Sequence, residues 1–200
     1  VKSDVLLREQ LPAWFAAVRN FGNPAIAAAL QVMLLTGARP GEVLGMRWED
    51  VNLQWHGLTI RDKVEGERVI PLTPYVSQLL AILPRRNEFV FASATAAGGV
   101  VTLPRSHHVC ACKVAGIEGL TLHGLRRSFK SLTEWIEVPV GVVAQIQGHK
   151  PSATAEKHYT VRPLDLLRLH HEKIEAWILE QAGIVFDAKA APGALRVVAG

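Results

Sequence analysis

The stretch TGARPGEVL, residues 36–44, decides how this chain is organised. Its glycine and proline frame Arg39 in a short break that follows a nearly all-apolar run, Ala25–Leu35. Such a run predicts a buried helix because it is apolar on almost every face. Pro40 and Glu42 suit the first turn of the next helix. An amide hydrogen has no partner within the helix at that position, so proline costs nothing there, and a carboxylate complements the helix dipole. Taken alone, Arg39 is better explained by a salt bridge between helices than by a functional cleft.

The pattern changes to that of β-strands further along the chain, within residues 51–72. Leu58 and Ile60 alternate with polar neighbours, and residues 64–66 predict a turn before a returning strand. The segment therefore predicts a small antiparallel sheet of two or three strands. Lys63 falls at the tip of its second hairpin.

Helical periodicity dominates the rest of the chain, which predicts a mainly α-helical α+β fold. Residues 92–104 are rich in Ala, Gly, Ser and Thr and predict a loop. We expect one domain over residues 1–185 and a flexible tail over residues 186–200. Further helices are expected near residues 11–18, 123–137, 140–147 and 163–182.

Composition limits the class of protein. The 200 residues are 49% apolar and carry a formal net charge of +4. These values exclude a disordered chain, a collagen-like fibre and a disulfide scaffold, and the longest apolar run is shorter than the ~20 residues that span a bilayer. The small basic excess is compatible with a polyanionic partner without requiring one. Cys110 and Cys112 indicate reduced thiols in a cytosolic protein.

Two basic motifs and one tyrosine carry candidate chemistry. His123 and Arg126 lie three residues apart at a predicted helix start, so they share a face that suits an anion such as phosphate. His149 follows a glycine at another helix end, and Tyr159 lies ten residues beyond it among basic side chains. Each feature alone has an ordinary structural explanation. Tyrosine is scarce, however, because Tyr75 is the only other one.

Together these residues resemble the tyrosine recombinase (phage integrase) family. The family's catalytic set runs in the same order: an arginine, a lysine on a β-turn, His-x-x-Arg, a histidine or tryptophan, and a tyrosine. The local sequences resemble the family as well, most closely integrases of prophages and genomic islands. They are TGARPGEVL (36–44), WEDV (48–51), HGLRRSF (123–129), GH (148–149), HYT (158–160) and PLDLL (163–167).

The resemblance covers roughly residues 5–182 and implies a helical catalytic domain with a three-stranded antiparallel sheet. We expect this chain to be the catalytic domain alone, without the N-terminal core-binding and arm-binding domains of the family. One departure is the spacing of ten residues from His149 to Tyr159, where many members have nine.

The resemblance also implies a role for each residue. Tyr159 is the nucleophile that forms a 3′-phosphotyrosine, and His123 assists its proton transfer. Lys63 is the general acid for the departing 5′-oxygen, with Arg61 and Arg68 as neighbouring alternatives. No metal or cofactor is implied. The nonbridging phosphate oxygens are bound by Arg39, Arg126 and His149, and backbone phosphates are contacted by Arg127, Lys150 and Lys157.

The expected partner is double-stranded DNA carrying recombination (attachment) sites. The family implies a homotetramer on synapsed DNA, compatible with a monomer without DNA, and action in the cytoplasm with no membrane. We expect the helix of residues 163–182 or the tail after it to mediate assembly. Three alternatives stay open: a type IB topoisomerase-like nicking and closing enzyme, a catalytically inactive DNA-binding relative, and a metal-dependent nuclease built on the histidines.

Overall fold

The computed structural model describes residues 4–64, 66–150, 154 and 160–190. Helices surround one antiparallel sheet of three strands. The strands are β1 (Val51–Asn52), β2 (Gly57–Asp62) and β3 (Gly66–Pro71). The helices are α1 (Leu11–Arg19), α2 (Pro24–Thr36), α3 (Pro40–Leu44), α4 (Pro74–Ala81), α5 (Arg105–Ala115), α6 (Leu122–Thr133), α7 (Val140–Gln147) and α8 (Leu164–Gln181).

Helix α2 forms the centre of the hydrophobic core. Every residue from Ile26 to Thr36 is buried, so the prediction of a core helix is confirmed. The side chain of Asn23 caps its first turn by accepting hydrogen bonds from two backbone amides, and Gly37 ends it in the left-handed conformation. Helices α1, α4, α6 and α8 pack around it, which places the start of α3 at the core's edge.

The sheet has the strand order β1-β2-β3, so three strands are present rather than two. Leu58 and Ile60 of β2 and Ile70 of β3 point into the core, and α8 packs against β3. The β2–β3 register pairs Asp62 with Gly66, and Lys63 lies in the turn between them, as the sequence predicts.

The helices differ from the expectation in two places. Helix α5, which the sequence pattern does not predict, follows the loop expected over residues 92–104. Its buried face is made by His108, Ala111 and Cys112, which give only a weak apolar period. Helix α6 ends at Thr133 and continues as a 3-10 turn, because Glu137 adopts a positive φ of 53° before Pro139 starts the next helix.

The long C-terminal helix has the predicted buried stripe. His171 lies on it, fully buried, with its Nε2 2.8 Å from the carbonyl oxygen of Leu35, and burial lowers its pKa to about 4. The tail boundary at residue 186 stays a prediction, although Phe186 packs edge-on against Tyr75. Residues 191–200 lie outside the described part of the chain. Among the helices that are described, none combines the length and apolarity needed to cross a bilayer.

Candidate functional site

Arg126 fastens three segments of the candidate site together. Its guanidinium, on a residue only 4% exposed, projects from the first half of α6. Nη1 donates to the carbonyl oxygens of Gly37, at 2.7 Å, and Gln147, at 2.9 Å. The Gln147 side chain returns a hydrogen bond of 2.9 Å to the Arg126 carbonyl oxygen. The loop before Arg39 and the end of α7 before His149 are therefore held on α6.

Gly37 makes this arrangement possible in two ways. Its φ of +64° is a conformation that other residues rarely adopt. A Cβ atom placed on it would also lie 2.6 Å from both the Phe129 ring and the Gln147 amide nitrogen. The glycine of the TGARP motif therefore lets the backbone approach α6 closely enough for Arg126 to reach its carbonyl.

Arg39 stands immediately before the first turn of α3, where two acids orient it. The Arg39 amide donates to Glu42 Oε2 at 2.7 Å, and its Nη1 lies 3.2 Å from both Glu42 Oε1 and Asp62 Oδ2. The side chain nevertheless keeps 33% of its surface exposed. Arg39 thus forms the salt bridges that one interpretation of the sequence expects, and it also reaches the surface, as a functional role requires.

Arg68 completes the support of Arg39 from the sheet. Its Nη1 and Nη2 bind the two oxygens of Glu42 at 3.0 and 3.1 Å, and its Nε donates to the carbonyl of Ile146 at 3.0 Å. Burial alone would raise the pKa of Glu42, but the hydrogen bonds and positive charges of Arg68 and Arg39 hold it below its usual value. Glu42 is therefore an anionic support, in keeping with the structural role expected for an acid in this first turn.

The position of Arg68 carries a signal in the sequence. It lies two residues before the buried Ile70 on β3, so its side chain shares the inward face of the strand. A basic residue on the inward face of a strand indicates an anionic partner on the buried side of the sheet. No such sequence pattern marks Asp62 or Gln147 as part of the site, and their roles follow only from the tertiary structure.

Lys63 is exposed at the tip of the β2–β3 hairpin. The preceding residue, Asp62, fixes this tip, because its Oδ1 accepts from the Val64 amide at 2.7 Å while its Oδ2 binds Arg39. Arg61, by contrast, is paired with Asp50 and Glu67, and Arg68 is engaged with Glu42. Of the three basic residues considered for the general acid, Lys63 is the one in the turn beside Arg39's partner.

The two histidines lie at opposite ends of helices, and both are influenced by the charges of Arg126 and Arg39. Partial burial and the charges of Arg127, Arg126 and Arg39 lower the pKa of His123, in the first turn of α6. Partial burial and the charges of four cations also lower the pKa of His149: Arg126, Lys130, Arg39 and Arg68. Both imidazoles are exposed, and both are biased towards the neutral form.

His149 is placed by the residue before it. Gly148 has a φ of +73°, and a Cβ atom there would lie 2.6 Å from the Arg68 guanidinium. His149 and Lys150 then line a cleft of about 450 Å³ together with Arg68 and Arg162. Asp62, the partner of Arg39, also lines this cleft, so the basic groups of the site extend from Arg39 along it.

The remaining predicted site residues have different outcomes. Arg127 is half-exposed and its guanidinium pairs with Asp4. Lys150 is exposed at the cleft, as a phosphate contact requires. Lys157 and Tyr159 lie outside the described residues, so their assignments stay predictions.

Tyr75, the other tyrosine, is unsuited to chemistry. It is 5% exposed, its hydroxyl donates to Gln31 Oε1 at 2.5 Å, and burial raises the pKa of its phenol.

The described part of the site is built to bind a tetrahedral anion. Two guanidiniums are pre-oriented by carboxylates and carbonyls, and two imidazoles lie in the same positive field. Guanidinium groups bind phosphate oxygens through paired donors, and a preorganised cation stabilises charge that develops during a reaction. The arrangement therefore fits a phosphodiester and the charge that forms on it during transfer.

The chain is similar in sequence or in fold to several known proteins. Prophage integrase IntF of Escherichia coli (strain K12) is 55% identical over 188 residues, which cover 90% of this chain and 40% of that protein. The pre-cleavage complex of XerH site-specific recombinase bound to difH substrate has a TM-score of 0.62 at 18% identity, over 88% of this chain and 52% of that chain. A lambda integrase tetramer bound to a Holliday junction has a TM-score of 0.56 at 18% identity, over 70% and 45% of the two chains.

The likeness to IntF is one of sequence, and the likeness to the two solved structures is one of fold. The chain spans less than half the length of IntF, and the two structures show the shared fold of a mainly helical domain with a three-stranded antiparallel sheet. Residues 4–163 match the model of the phage integrase family, and this range contains every residue of the predicted catalytic set. The chain therefore belongs to the phage integrase family.

Proposed function

We propose that this chain is the catalytic domain of a site-specific DNA recombinase that integrates or excises a mobile element. It cuts and rejoins DNA strands through a 3′-phosphotyrosyl intermediate. The observation that carries the proposal is the convergence of Arg39, Arg126, His123 and His149. Arg126 shares its helix with His123, and its Nη1 binds the carbonyl oxygens of Gly37 and Gln147, each two residues before Arg39 and His149 respectively. The similarity to a prophage integrase supports the same activity.

The chemistry explains why a side-chain nucleophile is required. Strand exchange breaks a phosphodiester and later reseals it without an external source of energy. Attack by a phenol replaces one phosphoester bond with another, so the bond is conserved in a covalent intermediate. Attack by water would lose it. A phenol with a pKa of about 10 is also a reasonable leaving group when a DNA hydroxyl attacks in the second step.

Arg39 and Arg126 bind the nonbridging oxygens of the scissile phosphate, where charge develops as the nucleophile attacks in line. Their supports keep both guanidiniums in place before DNA binds, so little reorganisation is needed during the reaction. His149 donates a further hydrogen bond to a nonbridging oxygen. A missing donor of this kind costs about 3 kcal/mol in the barrier, or 10²- to 10³-fold in rate.

Two residues move protons. His123 assists removal of the proton from the tyrosine, and its lowered pKa keeps the imidazole neutral for this role. Lys63 protonates the departing 5′-oxygen as the general acid. Its position in the turn after Asp62, which binds Arg39, supports this assignment over Arg61, because Arg61 is already paired with two acids.

Tyr159 is the proposed nucleophile. The chain has two tyrosines, and Tyr75 is buried with its hydroxyl bonded to Gln31. The order of residues in the family motif gives Tyr159 the role independently. Arg127, Lys150 and Lys157 are proposed to contact backbone phosphates, which position the duplex rather than specify its sequence.

The proposed partner is a pair of duplex attachment sites in the cytoplasm, bound by a homotetramer. Related proteins support this: XerH is described bound to its difH substrate, and lambda integrase as a tetramer on a Holliday junction. The helix α8 or the segment after it is proposed to connect protomers. Because α8 is also part of the core, the test keeps the helix: Leu169→Glu on its exposed face, combined with deletion of residues 191–200, is expected to impair synapsis, and unimpaired synapsis would contradict this role.

A suicide-substrate assay tests the proposed function. A nicked duplex that carries the attachment site traps the covalent intermediate, because the short 5′-hydroxyl strand diffuses away. In EDTA the unaltered chain should give a protein–DNA band that survives denaturant, and Tyr159→Phe should give none. Tyr75→Phe is the matched control, since it removes the other phenol, and it should still form the band.

The outcomes separate the alternatives. A band that persists in Tyr159→Phe would overturn the assignment of the nucleophile. Cleavage that appears only when a divalent metal is added would indicate a metal-dependent nuclease instead. Relaxation of supercoiled plasmid without a recombinant product would indicate a nicking and closing enzyme. Binding without any covalent product would indicate an inactive relative.

A further inference from the structure

The carboxylate of Asp4 is bound to the start of α6, far away in the sequence. Its Oδ1 accepts a hydrogen bond of 2.8 Å from the Thr121 amide, and its Oδ2 accepts one of 2.7 Å from the Thr121 hydroxyl. The guanidinium of Arg127 donates to the same Oδ2. Asp4 thus contacts both the residue that precedes the helix and a residue one and a half turns along it.

Thr121 passes this contact to the helix backbone. Its hydroxyl oxygen accepts from the Gly124 amide at 2.9 Å, which is the side-chain cap of α6. The hydroxyl gives its own hydrogen to Asp4, so its lone pairs are directed to the helix. The carboxylate therefore fixes the rotamer of the cap, and through it the turn that contains His123.

The backbone of the N-terminal segment follows the same helix closely. A Cβ atom on Gly124 would lie 2.1 Å from Asp4 Oδ1 and 3.0 Å from the Asp4 carbonyl oxygen. The Leu6 amide donates to Ser128 Oγ at 2.7 Å, and Leu6 is 1% exposed. The glycine of the HGLRRS motif is thus explained by the space that Asp4 occupies between His123 and Arg126.

Asp4 is also a negative charge in a positive site. Burial works against its ionisation, but hydrogen bonds from Thr121 and Arg127 and the charge of Arg127 hold its pKa below the usual value. The groups that act on His123 are the cations Arg127, Arg126 and Arg39 and the anion Asp4. Asp4 is the one of these four that favours the imidazolium.

We propose that Asp4 is a positioning residue of the active site, which fixes the first turn of α6 and hence His123 and Arg126. This inference rests on the proposed function, in which those two residues act on the scissile phosphate. It adds an N-terminal residue, outside all of the catalytic motifs, to the groups that set the rate. Its removal slows cleavage without weakening the binding of DNA, because the change removes a negative charge and releases Arg127, and both effects favour a polyanion.

The test compares Asp4→Asn with Glu88→Gln. The control also loses the carboxylate of an acid–arginine pair, but its partner is Arg47, at 4.0 Å, and Glu88 is 61% exposed. On the suicide substrate, Asp4→Asn should cleave about 10- to 100-fold more slowly with no loss of DNA affinity, as is typical when a supporting group is lost. Glu88→Gln should keep the rate of the unaltered chain.

A second measurement needs no DNA. NMR titration of the imidazole protons, with His123 assigned from the His123→Gln spectrum, reports the environment of that ring. In Asp4→Asn the pKa of His123 should fall further, because only the three cations remain. The same measurement in Glu88→Gln should match the unaltered chain, and a general loss of structure would instead move all the histidines to their unfolded values.

Each outcome decides the inference. A slowed cleavage step together with a lowered His123 pKa supports it. A rate within twofold of the unaltered chain, or a His123 titration that does not move, overturns it. If the unaltered chain itself forms no covalent product, the proposed function has failed, and the titration alone then decides whether Asp4 acts on His123.

Discussion

Replacement of Arg68 by methionine tests the frame that holds Arg39. The change keeps most of the side-chain volume but removes three hydrogen bonds, two to the Glu42 carboxylate and one to the Ile146 carbonyl. Glu42 is 6% exposed, so it cannot regain these contacts from water. Loss of one partner of a buried pair costs about 3–5 kcal/mol. Since Glu42 keeps its contacts with Arg39, we expect about 2–3 kcal/mol.

The loss should depend on pH in a defined direction. In the unaltered chain the pKa of Glu42 is lowered, so its ionic contacts stabilise the fold above the unfolded pKa and are lost as pH falls through the folded value. Without Arg68 that pKa rises, and protonation relieves the buried charge. The difference in unfolding free energy between the two proteins should therefore be full at pH 7 and shrink towards acid pH.

Urea denaturation at pH 7 and pH 4.5 measures both effects. Arg47→Met is the control, because its partner Glu88 is 4.0 Å away and both side chains are largely exposed, so the expected loss is at most about 1 kcal/mol. The double variant Arg68→Met, Glu42→Gln should recover part of the loss, since it removes a buried charge that Arg39 alone compensates incompletely. A loss below about 0.5 kcal/mol, or one that is equal at both pH values, would refute the reasoning.

Three further changes have defined outcomes. Gly37→Ala should cost about 2–4 kcal/mol in thermal unfolding, because of its positive φ and the contact with Phe129, whereas Gly22→Ala, with open space around it, should be nearly neutral. Burial raises the pKa of Glu175 from 4.5 to about 7, so stability should fall as pH rises between these values and level off above them, and Glu175→Gln should flatten that fall in urea titrations. Arg126→Lys should slow single-turnover cleavage at least ~100-fold, since a single ammonium nitrogen lacks the planar fork that binds two carbonyls through Nη1 and keeps other N–H groups for paired contacts with phosphate.

The outline of the fold is readable from the sequence where local signals are strong. The apolar run before Thr36 predicts the central helix, and the alternation at Leu58 and Ile60 predicts the sheet, because both patterns arise from burial on a fixed period. Helix α5 escaped prediction because its buried face contains His108 and Cys112, which match no apolar period. The left-handed Glu137 likewise ends a helix without any glycine to mark it.

In the candidate site, too, some residues are marked by the local sequence and others are not. Arg39, Arg126 and His149 lie in motifs with glycine or proline beside them, so local sequence marks their positions. The residues that orient them are not marked in this way, because the Arg68–Glu42 and Asp4–Thr121 contacts join parts of the chain that are 26 and 117 residues apart. Only the tertiary fold brings such partners together.

The double engagement of Arg126 has a consequence for judging other members of this family. One of its nitrogens ties two loops to a helix, so a descendant that had stopped cutting DNA would still need this arginine in order to fold. Its presence is therefore poor evidence that a protein is active. Lys63, which is exposed in its turn and holds no segments together, can be lost without harm to the fold once the reaction is abandoned. Lys63 and the proposed nucleophile Tyr159 are therefore the better diagnostic of a working enzyme.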